Sequence, residues 1–236
     1  QFGIDLAAFE HERLAGPLCA VWLVVFSIPF FLYAEDGGTK GASWSRAFKD
    51  GAKTVFKTIR VAALYLQLMK FLIARMLYAD AMAALLALGA VYVALFLEWT
   101  FLEMTAYAMY GSMWAFAGGL IGGWMDTRLG PKNALIISIV AMVSTLVLQL
   151  SITQDSLFFG LVENYQVWDG LVFQTLSDLV YLGTITIVAI TATASISSSR
   201  SMLVHLAPPG RSGEFFGLYA IAGSVTVWAG PLLVEI

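Results

Sequence analysis

The chain has 236 residues, 59% hydrophobic and only 12% charged, about half the roughly 25% charge of an ordinary soluble domain. So much apolar surface exceeds what a soluble core of this length can hide, and a mean hydropathy of +0.80 points to lipid as the solvent of the exterior. The net charge of −3 excludes a basic nucleic-acid binder. The lone Cys19 excludes an internal disulfide or thiolate cluster, and the widely separated His11 and His205 leave no zinc or haem ligand set. No metal and no cofactor is expected.

A membrane-crossing helix needs about 20 mostly apolar residues, and the chain offers six such stretches. The lead-in 1–13 is followed by Leu14 to Ala34, free of charge and with Pro29 inside it. Residues 35–60 form a basic linker in which Trp44, Ala47, Phe48, Ala52, Val55, Phe56 and Ile59 recur at helical spacing. That pattern predicts an amphipathic helix lying on the membrane surface with its lysines near anionic headgroups; a solvated connector helix is the alternative. The remaining five spans fill 61–236. The first is an apolar run from Val61 to Leu97, in which Lys70 and Arg75 suggest that the membrane proper begins near Arg75. The next two are Phe101 to Met125 and Asn133 to Ile152. After them, Thr153 to Gln174 is long for a connection between helices, and its Phe158, Phe159, Tyr165 and Trp168 suit an interfacial segment; a partner-binding loop is the alternative. The last two spans are Leu179 to Ile196 and Phe215 to Val234. The fold class expected is an all-α integral membrane protein.

Basic residues resist translocation, and here they alternate by segment. Lys40, Arg46, Lys49, Lys53, Lys57 and Arg60, then Arg128 and Lys132, then Arg200 and Arg211 account for ten of the 13 Lys and Arg residues. The intervening segments are acidic, with Glu98, Glu103, Asp155, Glu163, Asp169 and Asp178 among them. The basic loops are therefore expected to face the cytoplasm and both chain ends the opposite side. Gln1 is not an initiator methionine and no signal peptide precedes the first span, so the chain reads as beginning partway through something.

Small residues at Gly111, Ala115, Gly119 and Gly123 form an i, i+4 ladder on the third span, widened by Gly118 and Gly122. Such ladders let helix backbones approach closely in lipid, either as static packing or as a sliding contact. Ionisable residues inside spans are few. Asp80 lies five residues beyond Arg75, on a different face of the same helix. It is expected to pair with a neighbouring helix, line a polar cavity or carry a coupling proton. Glu103 is expected to be hydrated. Thr184, Thr191 and Ser195 make one hydroxyl stripe on the fifth span, and Thr186, Thr193 and Ser197 another. Those hydroxyls either bond back to the preceding turn or form a cavity wall.

The stretch Gly122-Gly123-Trp124-Met125-Asp126-Thr127-Arg128-Leu129-Gly130-Pro131-Lys132 resembles the cytoplasmic signature loop of the major facilitator superfamily. In the usual pattern an aspartate stands where this chain has Thr127, and a basic residue where it has Pro131. The resemblance implies a conformational latch formed by Gly123, Asp126, Arg128, Gly130 and Lys132. Two further stretches are similar to the vacuolar-effluxer-like branch of that superfamily. Phe71-Leu72-Ile73-Ala74-Arg75-Met76-Leu77-Tyr78-Ala79-Asp80 matches the start of helix seven. Ser198 to Tyr219, with Arg200, Arg211, Gly213 and Glu214, matches the second cytoplasmic loop, between helices ten and eleven. The resemblance implies helices six to eleven of a twelve-helix, major-facilitator-type bundle, the carboxy-terminal part being incomplete. It implies transport of a small polar, amino-acid-like solute by alternating access, with the bilayer and an amino-terminal helix bundle as partners. Arg75, Tyr78, Asp80, Thr184 and Thr191 are the residues expected at a polar cavity or coupling site, and a bacterial cytoplasmic membrane is the expected location. The competing reading is a transporter-like structural or assembly subunit of a larger membrane complex. An enzyme is not expected: there is no Walker A loop, no dinucleotide glycine fingerprint, and within the spans only Asp80 to serve an aspartyl protease that needs two.

Overall fold

The computed structural model describes residues 15–33 and 43–224. Contacts divide the chain into two units at Asp50/Gly51. In the first, α1 (Ala15–Tyr33) contains Pro29 and is apolar and long enough to cross a membrane. The expected lead-in 1–13 and the end of the last span, beyond residue 224, lie outside the described residues.

Helix α2 (Trp44–Leu64) covers the predicted amphipathic segment, and Phe48 and Phe56 on it remain exposed. It runs on to Leu64, past the linker boundary expected at residue 60. The apolar run from Val61 is not one element, because Tyr65 (φ −104°, ψ 85°) leaves the helical region and α3 (Leu66–Leu95) starts afresh. At 1.5 Å per residue, the 30 residues of α3 extend about 45 Å, half as long again as the hydrocarbon thickness. Helix α4 (Phe101–Leu129) starts from a capping box, in which the Thr100 hydroxyl accepts from Glu103 N–H and the Glu103 carboxylate accepts from Thr100 N–H. Helix α5 (Pro131–Gln149) follows after one residue, Gly130, at φ +78°. Only glycine adopts that conformation without strain, and proline suits the first turn of the next helix.

Between α5 and α6 the chain forms a small antiparallel pair, β1 (Ser156–Leu157) with β2 (Val162–Glu163). Phe159, Leu161 and Leu171 in this connection are 77, 85 and 89% exposed. Helix α6 (Leu176–Leu206) has a second capping box, Thr175 with Asp178. The extended Ala207, Pro208 and Pro209 end it, and α7 (Ser212–Ala222) begins after Gly210.

Four of these helices, α1, α3, α5 and α6, are long and apolar enough to cross a membrane. Six crossings were expected from the sequence. Of the other two segments, α4 has the length but is richer in Gly, Tyr and Trp, and only the start of the last span falls among the described residues. The chain is an all-α membrane protein.

Within the second unit α6 is the central helix, packing along both α4 and α5, which also touch each other. Its two ends belong to separate apolar clusters. Val93, Leu97, Trp99, Ile152, Tyr181 and Ile185 pack at the acidic end of the bundle, which carries Glu98, Glu103 and Asp178. Leu68, Phe71, Leu72, Leu203, Phe215 and Tyr219 pack at the basic end, which carries Arg200 and Arg211.

Candidate functional site

Helices α4 and α6 run parallel, and their backbones touch at two glycines. A Cβ on Gly118 would lie 2.5 Å from the Ile190 carbonyl oxygen, and one on Gly122 would lie 2.8 Å from the Ala194 Cα. Gly111 and Gly119 stand at ordinary contact distance, 3.9 and 3.8 Å, from Ile185 and Thr193 side chains, whereas Gly123 faces open space. The ladder Gly111, Ala115, Gly119 and Gly123 is thus not the tight seam. The seam is one residue over, where Gly118 and Gly122 are buried.

The residues matching the signature loop are helical rather than looped. Asp126 and Arg128 sit in the last turn of α4, Gly130 alone makes the turn, and Lys132 is already in α5. Continuing the α4–α6 register places Asp126 beside Ser198. Asp126 Oδ1 and Ser198 Oγ are both buried without a hydrogen-bond partner among the described residues, and Arg128 there makes no ion pair. The second loop is likewise shorter than expected. Arg200 lies on α6 and Gly213 and Glu214 on the first turn of α7, leaving Ala207 to Arg211 as the connection.

Glu214 ties this connection to α2. Arg211 and Glu214 form an ion pair at 2.5 Å, and the buried Thr58 donates its hydroxyl to Glu214 Oε2 at 3.0 Å. These hydrogen bonds, Arg211's first and Thr58's second, hold the Glu214 carboxyl below its ordinary 4.5. A carboxyl lowered in the folded state adds stability above its unfolded value and loses it as the pH falls through the folded one. Acidification from about pH 5 to about pH 3 is therefore expected to lower the Tm of Glu214→Gln less than that of the unaltered protein, a difference that a thermal melt in detergent reads.

Thr184, Thr191 and Ser195, one hydroxyl stripe of α6, each bond to a carbonyl of their own helix. Thr184 is buried, takes a hydrogen bond from Gln149 Nε2 at 2.9 Å and donates to the Tyr181 carbonyl at 2.6 Å. Thr191 donates to the Ile187 carbonyl at 2.7 Å. Thr184 joins α5 to α6, and Thr191 bonds back along its own helix, as hydroxyls in apolar helices do. Asp80 and Arg75 form no ion pair with each other, and Asp80 Oδ1 is buried without a partner among the described residues.

The acidic end holds an arrangement that residue spacing did not reveal. Trp99 Nε1 donates to Asp178 Oδ1 at 2.6 Å, across 79 residues, while Asp178 Oδ2 accepts from Thr175 N–H and hydroxyl. Glu103 is not merely hydrated. Beyond its cap it accepts from Phe173 N–H at 3.0 Å, fixing a residue at φ +53°. These groups border a polar recess of about 340 Å³, open beside the β1–β2 connection.

Three features are now together: an all-α bundle in lipid, a glycine seam between parallel helices, and an Asp-x-Arg-x-Gly turn at its basic end. Residues 11–236 match the family model described as vacuole effluxer Atg22 like. The chain belongs to this family. The Atg22-like chain is also 25% identical over 233 residues to autophagy-related protein 22-2 of Neosartorya fischeri, covering 92% of its own length and 36% of that relative's. It thus spans about a third of the curated relative it matches. That relative is eukaryotic and the family description names the vacuole, which gives no support to the expected bacterial cytoplasmic membrane. No solved structure matches the Atg22-like chain.

Proposed function

We propose that this chain supplies helices six to eleven of a secondary transporter that moves a small polar, amino-acid-like solute by alternating access. The observation that carries the reading is the match of residues 11–236 to a family of effluxers; it lends nothing to the alternative of a structural subunit. Transporters of this architecture bind solute near the midplane between two helix bundles that rock against each other. The other bundle would come from the part of the protein that the curated relative has beyond this third.

In this reading the basic end of α4 is the latch. The buried Asp126 Oδ1 and Arg128, without an ion pair among the described residues, meet the amino-terminal bundle in one state and water in the other. A charge cluster gains strength when closure excludes water and weakens when hydrated. A differential of about 1.4 kcal/mol changes a two-state ratio tenfold, so one charge-assisted contact is enough to set the balance. Arg128→Ala in the full-length protein is expected to shift the accessibility pattern towards one side and to slow solute uptake into liposomes by about tenfold, at unchanged expression. Unchanged uptake and accessibility would remove the latch. Failure of the full-length protein to transport any amino acid would remove the transporter reading itself.

A further inference from the structure

The latch and the proposed transport path make no use of Arg75, yet its surroundings are specific. Its guanidinium carbon lies 4.7 Å from the centre of the Tyr78 ring and 4.8 Å from that of Tyr219. Tyr219 is held in turn, its hydroxyl 2.6 Å from Ser199 Oγ and its ring stacked on Phe71. Gly223 gives the guanidinium room at the end of α7, where a Cβ would stand 3.1 Å from Nη2. Aromatic faces attract the cation but offer its N–H groups no in-plane acceptor. Among the described residues no carboxylate pairs with Arg75, and its Nε is buried without a hydrogen-bond partner. A buried, unpaired donor on a charged group is costly.

The same guanidinium borders a cavity of about 450 Å³ between α3, α6 and α7. Arg200 enters it from α6, and Phe216, Tyr219, Gly223 and Ser224 line it from the α7 side. Among the described residues two arginines and no carboxylate therefore face one recess, with one arginine set against two rings. A planar guanidinium held in one orientation suits the two-pronged grip of an oxyanion.

We propose that this cavity binds a phosphate or carboxylate group, gripped by Arg75 and drawn in by Arg200. The group belongs either to a free anion or to the headgroup of an acidic lipid at the basic end of the bundle; the chemistry of the grip is the same. The proposal is independent of the transport reading, and its test measures no transport.

The full-length protein is placed in nanodiscs of phosphatidylcholine alone and of phosphatidylcholine with phosphatidic acid, and its thermal unfolding is followed against inorganic phosphate at constant ionic strength. A saturable rise in Tm with phosphate in the phosphatidylcholine discs identifies a free-anion site. A rise on adding phosphatidic acid, with no response to phosphate, identifies a headgroup site. In either case Arg200→Gln, an exposed position expected to leave folding intact, weakens the response about tenfold. Arg75→Lys, which keeps the charge and loses the planar fork, weakens it too. A wild type that responds to neither phosphate nor phosphatidic acid, or an Arg200→Gln protein that responds as the wild type does, overturns the site.

Discussion

Gly118→Ala is expected to destabilise the helix bundle by about 3 kcal/mol, the upper end of what overpacking one methyl group costs. The added Cβ would meet the Ile190 carbonyl oxygen at 2.5 Å, and a backbone atom has no rotamer to escape into. Relief requires α4 and α6 to move apart, which loosens the contact at Gly122 as well. Gly123→Ala is the matched control. Its Cβ enters open space, and alanine gains up to about 1 kcal/mol of helix propensity over glycine. Thermal unfolding of the two variants in one detergent decides the seam. Equal effects would mean that the helices do not meet at Gly118.

Asp178→Ala is expected to cost about 2–4 kcal/mol, from a charge-assisted hydrogen bond and a helix cap lost together. One buried carboxylate serves both Trp99, 79 residues away, and the amino terminus of α6. Its removal leaves the Trp99 N–H, itself buried, without an acceptor. Asn at this position keeps an oxygen for Trp99 and remains a capable helix-start acceptor, so Asp178→Asn should retain most of the stability. Tryptophan fluorescence followed through a denaturant series separates the three proteins; if Asp178→Ala unfolds with the wild type, the bond carries no weight.

The two cases mark how far the sequence could be read. Long apolar runs and the alternation of basic with acidic connections were plain, since a lipid-facing helix has no other composition open to it. So was the family, through motifs on α3, on α4 and across the α6–α7 connection. Which glycines touch was not plain. They come as the adjacent pairs 118–119 and 122–123, so two stripes about 100° apart on the helix look equally smooth. The choice is made by α6, which the sequence of α4 does not contain. Helix boundaries misled for a related reason. Charged residues on α4 and α6 read as loops, but these helices have 29 and 31 residues, extend beyond the hydrocarbon and carry their charges on the protruding turns. Composition left Thr184 open between a bond within its own helix and a cavity wall; its bond to Gln149, on another helix, was not legible. The Trp99–Asp178 bond left no local signal at all.

The parallel course of α4 and α6 has an electrostatic consequence. Peptide dipoles add along each helix, so two parallel helices in contact bring like partial charges together at both ends. Here the amino-terminal turns carry Glu103 and Asp178, and the carboxy-terminal turns carry Arg128 and His205. The acidic and basic ends of the bundle thus complement the summed macrodipole of this pair. Helix α5 runs the other way, with no acidic residue in its first turn and Lys132 there instead. On that helix the side of the membrane and the dipole make opposite demands, and the lysine follows the basic end.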